Sequence, residues 1–205
     1  MKSRKKKNNS SKIIVMVIIV ILVILGIIFF QSKKELTVIT VDDEIEEYSY
    51  HLNSNSTRIY KKYFNELKEE LSDNKIDEEK YASLVSKLFI IDYYTLNNKI
   101  TNRDIGGVDF IHSSLKDSFI SSSMNSIYKY IKSNLYGKRK QKLPEVNDVE
   151  IVSIENIKYK NKDLIDDSAY KVICKVGYVK DYDYPKEVTL GIMHENNKLV
   201  IMEIW

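Results

Sequence analysis

The stretch Ala169-Tyr170-Lys171-Val172-Ile173-Cys174-Lys175-Val176-Gly177-Tyr178-Val179 sets Tyr170, Val172, Cys174, Val176 and Tyr178 at every second position. A period of two places those side chains on one face of a β-strand, ready to be buried. Downstream, Glu187–Glu195 and Lys198–Ile204 have the same strand character. They are separated only by Asn196-Asn197, a two-residue hairpin turn suited to positive φ at both positions. Upstream, residues 148–159 form a Val- and Ile-rich run of strand length. Four consecutive strands with hairpin-scale links predict an antiparallel meander over 146–205.

Toward the N-terminus the period changes to that of a helix. Ile59, Tyr60, Tyr63, Phe64, Leu67 and Leu71 form one apolar stripe, with Asn55 or Ser56 as the N-cap. After the turn at 72–75, Asp77 caps a second helix whose first turn holds Glu78 and Glu79, where the helix dipole favours negative charge. Its stripe is Tyr81, Leu84, Val85, Leu88, Phe89 and Ile91, and the short link predicts antiparallel packing of the pair. A third helix is expected from Ser113 to Leu135, stopped by Gly137. Helices first and strands last predict an α+β domain: about three amphipathic helices on a curved, four-stranded antiparallel sheet.

Farther out, Ile13 to Phe30 contains no charged or amide side chain. As a helix it would span about 27 Å at 1.5 Å per residue, close to the hydrocarbon thickness of a bilayer. Lys2, Arg4, Lys5, Lys6, Lys7 and Lys12 precede it, and an acidic series from Glu35 to Glu47 follows. This asymmetry predicts a transmembrane helix at 13–30 with a cytoplasmic basic tail at 1–12 and the rest of the chain extracytoplasmic. A cleaved signal peptide is the alternative, but Phe29-Phe30-Gln31-Ser32 is a poor cleavage site. Residues 31–55 read as a stalk, with Leu36–Val41 extended, and 56–205 as the domain, helical over 56–137.

The net charge of +3 owes its basic excess to the N-terminal end, so bulk charge indicates no nucleic-acid partner. Abundant Lys, Ile, Asn and Tyr with only two prolines fit a low-GC bacterial genome. Cys174 is the sole cysteine, so no disulfide forms within the chain, and its place on an apolar strand face makes it a small core residue.

His51, His112 and His194 lie far apart, with no second ligand at metal spacing, and are expected as surface or rim residues. No phosphate-binding loop, nucleophile elbow or dinucleotide fingerprint is present, and neither cofactor nor catalytic activity is expected. Two groups stand out. Asp92, Tyr93, Tyr94 and Asp109, around Gly106-Gly107, have the makings of a ligand cup with a carboxylate base. Capping by the carboxylates and core-edge packing by the rings are the ordinary alternative. Lys138, Arg139, Lys140 and Lys142 form a basic loop able to meet lipid headgroups or an anionic polymer.

Leu88-Phe-Ile-Ile-Asp-Tyr-Tyr-Thr-Leu-Asn-Asn-Lys99, followed by Asp104-Ile-Gly-Gly-Val-Asp-Phe110, resembles a segment of membrane-anchored proteins of low-GC Gram-positive bacteria and mollicutes. The resemblance implies a lineage and an anchored architecture, with no activity attached. The order of basic tail, spanning helix, helices and curved sheet is similar to VirB-type assembly factors of conjugation and type IV secretion. Their outer domain has a ketosteroid-isomerase-like cone fold that acts as a scaffold. The expected partners are thus the lipid bilayer through 13–30 and an envelope protein or a second copy of the chain.

Overall fold

The computed structural model describes residues 9–31, 36–161 and 164–205, with the side chains of the first stretch described from 14 to 25. The chain divides into two compact units, Met1–Leu36 and Thr37–Trp205. In the first, Asn9–Gln31 is a single helix, α1. From Ile14 to Leu25 every residue is large and apolar, and every one is about half exposed or more. Among the described residues no helix is long and apolar enough to cross a membrane. The described side chains of α1 end at Leu25, whereas the unbroken apolar sequence runs from Ile13 to Phe30. The basic residues from Lys2 to Lys7 and the pair Lys33-Lys34 lie outside the described residues.

The second unit is α+β. A two-stranded hairpin, β1 (Val41–Ile45) and β2 (Tyr50–Asn53), leads into α2 (Arg58–Leu71), α3 (Glu78–Tyr94) and α4 (Lys116–Asn125). The four-stranded sheet follows as β3 (Val146–Asn161), β4 (Leu164–Tyr178), β5 (Glu187–Glu195) and β6 (Lys198–Ile204), antiparallel and in chain order. The alternation in β4 buries Tyr170, Val172, Cys174 and Val176 on the helix-facing side of the sheet. Glu195 pairs with Lys198 across the β5–β6 turn, and Asn196 takes a φ of 58°. Asp77 caps α3 by accepting the Glu79 and Lys80 backbone N–H groups.

α3 is the centre of the core. Its sequence reads as one stripe, but Ala82, Ser86 and Ile90 are buried as well as Tyr81, Leu84, Val85, Leu88, Phe89 and Ile91. The helix lies between α2 and the sheet, so more than one face is covered. The sheet also has a second apolar face, where Ala169, Met193, Val200 and Met202 are buried. Ile157, Tyr159 and Leu164, from the outer part of the β3–β4 ribbon, pack over that face. Register breaks between Val146 and Asp148, Ile151 and Ser153, and Ile157 and Tyr159 provide the bends that curl the ribbon round.

Four expectations need correction. The helix expected over Ser113–Leu135 consists of a 3-10 turn at Ser113–Leu115 followed by α4, which ends at Asn125. There the side chains of Asn125 and Ser126 donate to the carbonyls of Ser121 and Ser122, competing with the helical ladder. Ser126 turns out of the helix at φ −121°, ψ −104°, and Tyr128 and Ile131 are buried with Leu96 in a separate cluster. The extended segment expected at Leu36–Val41 begins as a strand only at Val41 and runs through the acidic residues to Ile45. Lys61 and Lys68 of α2 pair with Asp42 and Asp43, which lets that acidic strand lie against the helix. Tyr48, Tyr50 and Leu52 are buried, so residues expected as a stalk belong to the domain core. Finally, Thr57 is the N-cap of α2, accepting the Tyr60 N–H, in place of Asn55 or Ser56.

Gly107 holds a φ of +76°, and a Cβ there would stand 2.6 Å from the Phe89 ring. Gly107→Ala is therefore expected to cost about 2–4 kcal/mol from left-handed strain and overpacking together. In thermal denaturation this is a fall of roughly 5–15 °C. A melting temperature unchanged within a degree would show that this packing is wrong.

Candidate functional site

The four residues of the expected cup are held close to α3, but each already has a partner. Asp92, in the last turn of α3, receives the Lys99 ammonium on Oδ1 at 2.5 Å and the Gly107 backbone N–H on Oδ2 at 2.6 Å. The Lys99 side chain is 3% exposed and that of Asp92 25% exposed, so the pair is largely removed from water. It binds the end of α3 to the loop that carries Gly106 and Gly107. Tyr93 stacks on Phe89, shares a hydrogen bond with the Ser123 hydroxyl and accepts the Tyr128 hydroxyl on its carbonyl. Tyr94 meets the Tyr93 ring edge-on, and burial pushes its phenol up to about 12.

Asp109 turns to the β1–β2 hairpin. Its Oδ2 accepts the His51 backbone N–H at 3.1 Å and lies 2.8 Å from Nδ1 of the same residue. Both carboxylates reinforce the effect of burial in raising the Tyr60 phenol well above its ordinary value. They do not share an open cavity. The crevice at Asp92, lined also by Ser56, Thr57, Tyr60, Ile91 and Asn98, has no volume open to a water-sized body. This arrangement is that of capping and loop closure.

His51 and His194 lie at the rim as expected, with side chains 32% and 33% exposed, and each is tied to acids. His194 on β5 places Nδ1 2.8 Å from Asp166 of the curled ribbon and Nε2 3.3 Å from Glu78 at the start of α3. Burial disfavours its charged form, but the two carboxylates outweigh that and raise its pKa above 6.5. His112 is buried rather than at the surface. Its backbone N–H donates to the Ile201 carbonyl, and its ring is flanked by the Ser114 hydroxyl and Glu195. Cys174 is fully buried, and burial pushes its thiol up to about 12, which leaves no nucleophilic thiolate at neutral pH.

The basic loop separates into two roles. Arg139 donates to the carbonyls of Lys99, Lys132, Leu96 and Asn97, fastening 96–99 to 132–139 from inside. Lys138, Lys140 and Lys142 are exposed and carry the loop's surface charge.

One surface feature has no counterpart in the sequence reading. Between α4 and the outer side of β6 lies an open groove of about 290 Å³. Ile111, Leu115, Phe119, Ile201, Met202 and Ile204 line it, with Ser118, Ser122 and Glu203 as its polar members. Its two walls are far apart in sequence, at 111–122 and 201–204, so no local pattern marks it. Leu115 and Phe119 lie within the segment expected as the third helix, whose periodicity alone marks no surface groove. A second, polar hollow holds Lys198, whose ammonium sits 4.0 Å over the Tyr50 ring. Burial lowers that amine to about 8.

The chain matches no protein-family profile, no curated protein and no solved structure.

Lys99→Met leaves the Asp92 carboxylate without its counter-charge, and a loss of about 2–4 kcal/mol is expected in denaturant unfolding. Asp92→Asn combined with Lys99→Met should recover at least half of that loss, because no charge is then left unpaired. Additive losses in the double variant would disprove the coupling. For His194, the raised folded pKa means its stabilising contribution is complete below about pH 6.5 and is lost as pH rises through the raised value. The fall in melting temperature between pH 5.5 and 8.5 should therefore be smaller in His194→Gln than in the parent chain. Equal falls would rule out the clasp.

Proposed function

We propose that this protein is a single-pass, membrane-anchored scaffold whose extracytoplasmic domain works by binding protein rather than by catalysing a reaction. The observation that carries this reading is the engagement of the polar side chains most suited to chemistry. Asp92, Asp109, His51, His194 and Arg139 are all occupied in holding loops, hairpin and ribbon together. An apolar groove meanwhile remains open beside β6. An open apolar surface flanked by a sheet edge suits a peptide or a protein face, whereas a small-molecule site needs convergent polar groups in an enclosed volume.

Anchoring is supported by α1, a 23-residue helix whose described side chains from Ile14 to Leu25 are all apolar and exposed. Such a surface is stable only against something equally apolar. The charge asymmetry of the flanking sequence supports an inside-to-outside orientation. The curled sheet backed by helices is in keeping with a cone-like scaffold of the ketosteroid-isomerase type, here filled by side chains. Surface contact with anionic polymer through Lys138, Lys140 and Lys142 is a second reading, supported by their exposure.

The full chain should sediment with membranes and resist alkaline carbonate, and deletion of 13–30 should release it. A cysteine introduced at Lys138 should react with an impermeant maleimide in intact cells, since Cys174 is buried. A photocrosslinker at the exposed Ser118 should give one or a few discrete adducts with envelope proteins or with the chain itself. Extraction of the full chain by carbonate would refute the anchor, and the absence of discrete adducts would refute the groove as a docking surface. Binding of the chain to anionic vesicles that weakens with added salt would favour the second reading.

A further inference from the structure

A tight turn at Asn134–Gly137 projects from the second unit. The Gly137 N–H donates to the Asn134 carbonyl, Gly137 holds a φ of +62°, and a Cβ placed there would meet nothing within 4 Å. Leu135 and Tyr136 form its tip, and both are exposed. The base of the turn is braced. The Asn134 N–H donates to the Ile100 carbonyl, and the Asn134 side chain accepts the Arg139 N–H. The Arg139 guanidinium in turn reaches the carbonyls of Leu96, Asn97 and Lys99. The tip cannot fold back onto the domain without breaking these bonds.

Around the tip the charge has one sign. Lys129, Lys132, Lys138, Arg139, Lys140 and Lys142 occur between Ser126 and Pro144 with no acidic residue among them, and all five lysines are exposed. The Gln141 side chain donates to the Tyr130 carbonyl and accepts the Lys132 N–H, so 138–142 folds back beside 129–133.

The same turn is where the second unit begins. Thr37 donates its N–H to the Leu135 carbonyl at 2.7 Å and its hydroxyl to the Asn134 carbonyl at 3.4 Å. The apolar run of the anchor ends at Phe30. Fully extended, the chain from Phe30 to Thr37 spans at most about 25 Å. The headgroup layer takes up roughly 5–8 Å of that reach. A surface tethered so closely meets the bilayer at high effective concentration, so a contact too weak to recruit a free protein is sufficient. Lysines alone would suit any polyanion, but Leu135 and Tyr136 find nothing apolar in a solvated phosphate polymer. At a bilayer interface a tyrosine ring sits at headgroup level, and basic side chains meet anionic lipid.

We propose that this turn is a membrane seat: Leu135 and Tyr136 enter the extracytoplasmic interface of the bilayer that carries the anchor, and Lys138, Lys140 and Lys142 hold its anionic headgroups. The seat fixes which end of the domain faces the membrane. It deepens the anchored reading and depends on it, since only an anchored chain is tethered to the bilayer.

The test uses the full chain reconstituted into vesicles of phosphatidylcholine and phosphatidylglycerol in equal parts. An environment-sensitive fluorophore is placed at Ser133→Cys, beside the intact tip, or at Asp167→Cys, an exposed site at the outer end of the β3–β4 ribbon. Cys174 is buried and stays unlabelled. Lipids with a headgroup nitroxide should quench the label at 133 at least roughly threefold more than the label at 167. Omitting phosphatidylglycerol, or combining Lys138→Gln, Lys140→Gln and Lys142→Gln, should cut quenching at 133 by about half or more. Leu135→Ser with Tyr136→Ser should do the same. Chains that do not float with the vesicles overturn the anchor and the seat together. Chains that float but are quenched no more at 133 than at 167 overturn the seat alone. Quenching undiminished by Leu135→Ser with Tyr136→Ser marks a purely electrostatic contact, of the kind any polyanion would make, and also overturns the seat.

Discussion

A helix buried on more than one face has to be enclosed, and the enclosure of α3 is the constraint on which the domain depends. Phe89, Ile90 and Leu88 are fully buried and Ile91 almost so, so neighbours must meet them from different directions. α2 covers one side and the four-stranded sheet another, while the loop through Gly106 and Gly107 closes over the C-terminal end. The Asp92–Lys99 pair belongs to this closure. It gives the end of the helix a charged tie to the loop, and Gly107 lets that loop pass directly over the Phe89 ring. The Tyr50 and Tyr81 hydroxyls, 2.9 Å apart, join the β1–β2 hairpin to the start of the same helix.

This enclosure explains why the residues that look most chemical are structural. Carboxylates near the end of a buried helix and at the base of a hairpin face a choice between solvent and a donor inside the fold, and here each finds its donor. Tyr50, Tyr60, Tyr81, Tyr93 and Tyr128 follow the same logic, with rings packed inside and hydroxyls on carbonyls, a serine or one another. What remains for partners lies at the periphery: the groove beside β6, the exposed turn at 134–137 and three lysines on the loop that follows it.

Much of the architecture was legible in the sequence because it depends on local periodicity. The alternation from Tyr170 to Tyr178 and the Asp77 cap each act within a few residues and appear as read, and the hairpin turns at Asn196-Asn197 with positive φ at Asn196 alone, not at both. The failures are those of tertiary context. Ser121 to Ser126 lie within a helical apolar pattern, but their side chains compete for the carbonyls, and α4 stops. Asp42, Asp43 and Glu44 look like solvent-exposed stalk until Lys61 and Lys68 are brought opposite the first two. The groove was invisible because its walls come from Leu115–Phe119 and Ile201–Ile204. Ala82 and Ile90 were missed because a single stripe was read on a helix that is covered on more than one side.

The account rests on the claim that this chain works as an assembled, anchored scaffold, and the mass of the particle that carries it is the most direct measure. Native membranes would be extracted into polymer nanodiscs without crosslinking, and discs bearing the tagged full chain would be weighed singly. The account predicts particles holding the chain with a second protein or a second copy, and none after deletion of 13–30. Discs holding one copy and no other protein would contradict it and return attention to a small ligand.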